Sequence, residues 1–213
     1  LLFAAPAARA QDPPARGPAP ASGDAGQRAD PRAAGVERRG RPGNLVGHGG
    51  PIKALAVDGA SGRALTGSFD YAVMSWDVSE DAPKRLQRLD DHNGAVNAVA
   101  FVPGGALALA AGDDGVVTLW DLEAAKVVHR FEGHTAKVVD LAVTADGRWA
   151  ASASWDRSAR IWDLKKLEAG PVLEGHTGPV NAVVFSSDGS LLYSASADGS
   201  IALWRSNDGA LLR

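Results

Sequence analysis

The chain has 213 residues, 45% of them apolar, enough for one large all-β domain or two small ones with a sizeable core. Its net charge of −3 argues against a polyanionic partner, so no nucleic-acid binding is expected, and no run of 18 apolar residues offers a transmembrane helix. The absence of cysteine excludes disulfides, thiolate metal sites, cysteine nucleophiles and covalent haem attachment within this stretch.

The first residue is Leu1 and the single methionine is Met74, so an initiator is expected upstream. Residues 1–10 read LLFAAPAARA, a short apolar stretch running into Ala8-Arg9-Ala10. That pattern predicts the tail of a secretory signal peptide with Gln11 as the mature start, and hence an exported protein, periplasmic or extracellular. The other reading is an alanine-rich linker, which leaves the chain cytoplasmic. Residues 11–44 hold six of the 12 prolines, and their six arginines against four acids make the segment basic. With almost no large apolar side chain it cannot offset the entropy of ordering, and a disordered linker is expected.

Residues 45–213 repeat. Histidines stand at His48, His92, His134 and His176, and aspartates at Asp70, Asp114, Asp156 and Asp198. Tryptophans at Trp76, Trp120, Trp162 and Trp204 keep the same spacings of 44, 42 and 42 residues. Within a copy, short apolar runs such as VNAVAF from Val96, LALAAG from Leu107, VVTLWD from Val116 and VVHRF from Val127 are strand-like. Turn signals bound them: Pro103-Gly104-Gly105, Asp114-Gly115, Asp146-Gly147 and Asp188-Gly189. Four strands in each 42-residue copy, four times over, predict an all-β array of four-stranded antiparallel sheets around an axis.

Gly47-His48, Gly133-His134 and Gly175-His176, together with Trp76-Asp77, Trp120-Asp121 and Trp162-Asp163, resemble the two dipeptides of WD-repeat β-propellers. The resemblance implies four blades of a larger ring, usually of seven blades, truncated at the C-terminus with the next Gly-His due near position 218. It further implies a chain of hydrogen bonds in each blade. By position these are His48, Ser68, Asp70 and Trp76; His134, Ser154, Asp156 and Trp162; and His176, Ser196, Asp198 and Trp204. The second copy, His92, Asp114 and Trp120, has Gly112 at the hydroxyl position and Asp91 in place of the glycine before the histidine. Its network is expected to lack one member, and restoring it with Gly112→Ser to add about 1 kcal/mol. The fourth copy has Trp204-Arg205 instead of Trp-Asp.

Repeated His and Asp also raise the question of a metal centre or a Ser-His-Asp hydrolase. Four of the five histidines already hold one structural position per blade and lie far apart around a ring, while His129 falls in an edge-strand pattern. The adjacent pairs Asp90-Asp91 and Asp113-Asp114 diverge rather than converge. No catalytic, cofactor or metal site is therefore expected, and the chain is read as a non-catalytic scaffold for a protein or peptide partner. The alternative is a propeller serving a c-type haem or enzymatic module elsewhere in an exported polypeptide. The resemblance places Pro51, Lys53, Phe69, Ala95, Asn97, Asp113, Lys137, Val139, Trp155, Pro179, Asn181 and Ala197 on one rim. Of these, Lys53, Phe69, Asn97, Asp113, Lys137, Trp155 and Asn181 are the candidate binding set, with Phe69 and Trp155 as anchors. An open arc of blades is also expected to self-associate through its unpaired edges.

Overall fold

A computed structural model of the chain describes residues 45–79 and 83–213. The expected signal-peptide tail and linker, residues 1–44, lie outside the described residues. Among the described residues, fifteen strands form four antiparallel sheets in simple meander order. Blade 1 comprises β1 (Ile52–Asp58), β2 (Arg63–Ser68), β3 (Ala72–Asp77) and β4 (Lys84–Asp90). Blade 2 comprises β5 (Val96–Phe101), β6 (Leu107–Gly112), β7 (Val117–Asp121) and β8 (Lys126–Phe131). Blade 3 comprises β9 (Val138–Val143), β10 (Trp149–Ser154), β11 (Ser158–Asp163) and β12 (Glu168–Glu174). The fourth sheet comprises β13 (Val180–Phe185), β14 (Leu191–Ser196) and β15 (Ile201–Arg205), with Leu211 bridging to Trp204 where a fourth strand lies in the other blades.

The tight turns explain the short meanders. Between the second and third strands of each sheet, one residue adopts left-handed backbone: Tyr71 (φ 67°), Gly115 (φ 75°), Arg157 (φ 75°) and Gly199 (φ 85°). Glycine takes this conformation freely, whereas Tyr71 and Arg157 bear a steric cost of roughly 1 kcal/mol each. The turn aspartate just before this residue holds the bend by accepting from the backbone N–H two residues on, as Asp156 does from Ser158 at 2.9 Å. A β-bulge recurs near the start of every first strand, and another between the third and fourth strands of blades 1 to 3.

Both faces of the inner blades are apolar because each is covered by a neighbour. The face of blade 1 with Ala54, Leu65, Val73 and Leu89 packs on Val96, Val99, Ala108 and Trp120 of blade 2. Leu109, Ala111, Val117 and Leu119 of blade 2 pack on Val138, Ala150 and Trp162 of blade 3. Ala151, Ala153, Ala159 and Ile161 of blade 3 pack on Val180, Val183, Leu192 and Trp204 of the fourth sheet. A fully buried leucine or isoleucine in these layers contributes about 1.5–3 kcal/mol.

Polar bonds stitch the innermost strands together. Asn97 on β5 donates to the carbonyl of Val138 on β9 at 3.0 Å, and Asp140 on β9 accepts from the N–H of Val183 on β13 at 2.9 Å. Burial pushes the Asp140 carboxyl above its usual range, against the pull of the Val183 and Leu141 amides. Asp140→Asn keeps an acceptor for Val183 and removes a charge that burial disfavours. It is expected to raise stability at pH 7 on the order of 1 kcal/mol. Because the folded-state pKa is raised, the wild-type carboxyl contributes fully only below its unfolded value near pH 3.9 and loses that contribution as pH rises. The gain of Asp140→Asn should therefore shrink toward nothing at pH 4, which urea unfolding of both proteins at pH 4 and pH 7 would show.

Candidate protein-binding rim and its buried support

Each blade carries a histidine in the segment entering its first strand, and the turn aspartate receives the Nδ1 side of the ring: His48 to Asp70 at 3.0 Å, His92 to Asp114 at 2.9 Å, His134 to Asp156 at 2.7 Å and His176 to Asp198 at 3.0 Å. On the other side of the ring, Nε2 meets a hydroxyl that also accepts the tryptophan N–H. In blade 1 that hydroxyl is Thr66, 2.7 Å from His48 and 2.8 Å from Trp76 Nε1. Ser152 serves His134 and Trp162 at 2.8 and 2.9 Å, and Ser194 serves His176 and Trp204 at 2.8 and 2.7 Å. Donor and acceptor roles follow from the indole, which only donates. The hydroxyl accepts from it, and the carboxylate accepts from Nδ1–H on the opposite side of the ring, so each histidine is held between two fixed partners.

This geometry corrects the expected hydroxyl set. Ser68, Ser154 and Ser196 do not link histidine to tryptophan. They sit two residues further along the strand, where Ser68 and Ser196 accept the backbone N–H of Asp70 and Asp198, at 3.2 and 3.1 Å. Ser154 likewise accepts from Asp156 and donates to the carbonyl of Ala136, both at 3.1 Å. The reason is register. Trp76 lies opposite Ala64, which puts Thr66 one diagonal step away and Ser68 two, beyond the reach of a hydrogen bond.

Blade 2 supplies the second correction: its network has its hydroxyl. Thr118, on the third strand, lies 3.0 Å from His92 Nε2 and accepts from Trp120 Nε1 at 2.9 Å. Its cross-strand partner is Ala110, at the position that Thr66, Ser152 and Ser194 occupy elsewhere. In the other blades the equivalent pairs are Thr66 with Met74, Ser152 with Arg160 and Ser194 with Ala202. The hydroxyl has crossed to the neighbouring strand within one directly opposed pair. Gly112 is not a gap, since a Cβ there would lie 2.4 Å from the Ala95 carbonyl oxygen. Asp91, which stands where the other blades have glycine before the histidine, pairs with Arg130.

The turn carboxylates are held charged. Burial acts to raise Asp70, but hydrogen bonds from His48 and the Gly49 amide overcome it and leave the group far below the usual carboxylate range. Arg88 adds an ion pair to the same carboxylate at 3.1 Å. Asp114 is lowered in the same way by His92 and the Asn93 amide, against its burial. At Asp156 burial is outweighed by Ser158 and His134, giving a pKa of about 2. His134 is lowered, chiefly by burial, with the Asp156 charge opposing the shift.

These anchored turns present the rim. Phe69 and Trp155, each immediately before its turn aspartate, are 45% and 47% exposed. Lys53 Nζ lies 5.5 Å from the Phe69 ring centre, and Lys137 Nζ 3.3 Å from that of Trp155. Two cation–aromatic pairs thus stand on blades 1 and 3, the blades whose turns also hold Tyr71 and Arg157 in left-handed backbone. Asp113 and Asn181 are exposed. Asn97 is not part of it: buried, its amide donates to Asp113 at 2.8 Å as well as to Val138. Among the described residues, no three His, Asp or Glu side chains are grouped to hold a metal ion.

The family described as WD40, "WD domain, G-beta repeat", matches residues 83–121, 125–163 and 169–205, more than half of the chain. Each matched segment runs from the outer strand of one blade through the three inner strands of the next, so the sequence repeat straddles two blades. Over 65 residues the chain is 40% identical to the small ribosomal subunit protein RACK1y of Oryza sativa subsp. japonica, covering 30% of this chain and 19% of that protein. It is 35% identical over 80 residues to the methylosome protein WDR77 of Xenopus laevis, covering 37% and 23%. A match of 32% over 77 residues to ribosome assembly protein 4 of Chaetomium thermophilum covers 36% and 15%. The matched part is less than a quarter of the length of each of these relatives.

Proposed function

The chain belongs to the WD40-repeat family, and on that footing we propose that it is a non-catalytic scaffold that holds a protein or peptide partner on the rim carrying Phe69 and Trp155. The observation that carries this reading is the pair of exposed lysine–aromatic stacks, Lys53–Phe69 and Lys137–Trp155, at equivalent turns of alternate blades. An exposed aromatic on a rigid turn offers large contact area with little conformational entropy left to lose. The lysine above each ring presents positive charge beside it, which suits an extended segment bearing acidic side chains. The turns themselves are rigid because the next residue, Asp70 or Asp156, is locked into a buried network. The names of the relatives point the same way, toward a ribosomal subunit, a methylosome and the assembly of ribosomes.

The test is affinity capture from a lysate of the source cells with the parent chain and with Trp155→Ala and Phe69→Ala variants. Since both side chains are half exposed, each variant should melt within about 2 °C of the parent. Capture should fall at least tenfold with either change and should weaken with added salt. Undiminished capture by both variants would move the binding surface away from this rim.

A further inference from the structure

Blades 1 to 3 each hold an arginine at one opposed pair of the third and fourth strands, with a partner that changes from blade to blade. In blade 1 Arg88 on β4, opposite Met74, pairs with Asp70 at 3.1 Å and Asp90 at 3.0 Å. In blade 2 Arg130 on β8, opposite Thr118, pairs with Asp91. In blade 3 the pair is Arg160 on β11 and Val172 on β12, so the arginine has crossed to the neighbouring strand. Its guanidinium lies against Gly133, where a Cβ would stand 2.6 Å from Nη1. Gly133 holds the position of Asp91 in blade 2, so no carboxylate meets the arginine there. The Nε–H of Arg160 is buried without an acceptor among the described residues. A buried donor on a charged group is costly when unpaired, and an acceptor that reaches it is bound correspondingly well.

Arg160 lines an open cleft of about 450 Å³, bounded by the turn Asp156-Arg157-Ser158 and by the segment from Glu174 to His176. Trp155 immediately precedes that turn, and Arg157, exposed within it, brings a second guanidinium to the cleft. The acid of the turn is already engaged. Oδ2 of Asp156 accepts from His134 at 2.7 Å and from the Thr135 amide at 3.1 Å, and Oδ1 accepts from the amide and hydroxyl of Ser158 at 2.9 and 2.7 Å. Its lone pairs point at these donors and not at either arginine. Glu174 is the other acid of the lining, and it is exposed.

We propose that this cleft receives a carboxylate side chain of the partner segment, with Arg160 as its main donor and Arg157 as the second. The proposal rests on the rim reading and adds to it the residues that select an acidic side chain next to the Trp155 anchor. A guanidinium presents two parallel N–H donors in the plane of a carboxylate, so one arginine holds both oxygens. The charges of Asp156 and Glu174 close by penalise a second negative charge on the same group, which favours a carboxylate over a phosphate dianion.

The experiment is fluorescence anisotropy of a fluorescein-labelled hexaglutamate peptide titrated with the full 213-residue chain at low ionic strength. The chain carries a net charge of −3, so this peptide binds only where positive charge is local. Saturable binding that weakens with salt is expected. Arg160→Met should weaken it about tenfold, the effect of losing a charge-assisted hydrogen bond. Methionine fits there, since Met74 fills the equivalent position against Gly47 in blade 1, and an unchanged melting temperature checks the fold. Arg157→Ala should weaken binding and Glu174→Gln should tighten it, each about threefold, and both side chains are exposed. Trp155→Ala removes the anchor and not the cleft, so hexaglutamate should still bind that variant whatever lysate capture shows, which separates this proposal from the rim reading. No binding to the parent, or equal affinity in the parent, Arg160→Met and Glu174→Gln, overturns the cleft. Displacement by inorganic phosphate at lower concentration than by glutarate, a dicarboxylate of similar charge, overturns the carboxylate assignment.

Discussion

Replacing Asp70 by alanine is expected to lower stability by about 3 kcal/mol, near the bottom of the range for breaking a buried charge pair. Asp70 is fully buried and accepts from His48, from the Gly49 amide at 2.7 Å, from the Ala72 amide at 3.2 Å and from Arg88 at 3.1 Å. Alanine leaves all of these donors without their acceptor. The loss stays at the low end because Arg88 is partly exposed and retains Asp90 at 3.0 Å. Asp156→Ala in blade 3, where no arginine among the described residues pairs with the carboxylate, should cost less, about 1–2 kcal/mol.

The acid limb of stability carries the same signature. The lowered carboxylates Asp70, Asp114 and Asp156 contribute fully above their unfolded pKa near 3.9 and lose that contribution as pH falls through the folded values. His134, also lowered, contributes fully above its unfolded value near 6.5 and loses its share as pH falls below that. Urea midpoints should therefore decline gently below pH 6.5 and steeply below pH 4. Asp70→Ala should flatten the steep part. An unchanged slope below pH 4 would mean that the Asp70 network does not set acid stability.

In blade 2, Thr118→Ala is expected to cost about 2–3 kcal/mol, because it takes the acceptor from the Trp120 indole N–H and the hydroxyl from His92 Nε2 in a dry site. Adding Ala110→Ser to that variant puts a hydroxyl where Thr66, Ser152 and Ser194 have theirs, and should recover at least half of the loss. Ala110→Ser alone gives the network a second, redundant hydroxyl and should gain nothing. Gly112→Ser, by contrast, should lose about 1–3 kcal/mol, since its Cβ would press against the Ala95 carbonyl at 2.4 Å. This reverses the gain that the repeat pattern alone suggests. A double-mutant cycle by urea unfolding measures the coupling between positions 110 and 118, and additive effects would refute the strand exchange.

The architecture was legible in the sequence because its strongest signal is periodic. Histidine, aspartate and tryptophan recurring together at intervals of 44, 42 and 42 residues require one supersecondary unit repeated, and alternating runs between Asp-Gly turns make that unit a small antiparallel sheet. The rim aromatics Phe69 and Trp155 were legible too, since each sits beside a residue whose position the repeat defines. Asn97 was not: its inward turn depends on the Val138 carbonyl of the next blade, 41 residues away in the chain. Nor was the linking hydroxyl. Ser68 and Thr66 share one strand face, and only the pairing of Ala64 with Trp76 separates a reachable side chain from one that lies a further two residues along. In blade 2 the exchange of Thr118 for Ala110 leaves no trace in the repeat, because residues on different strands become neighbours only through register. By itself, then, the sequence determined the repeated sheet, its turns and its recurring polar residues, all encoded over short distances along the chain. The tertiary structure alone decided which hydroxyl joins histidine to tryptophan and which faces are covered, because both depend on contacts between strands and blades far apart in the chain.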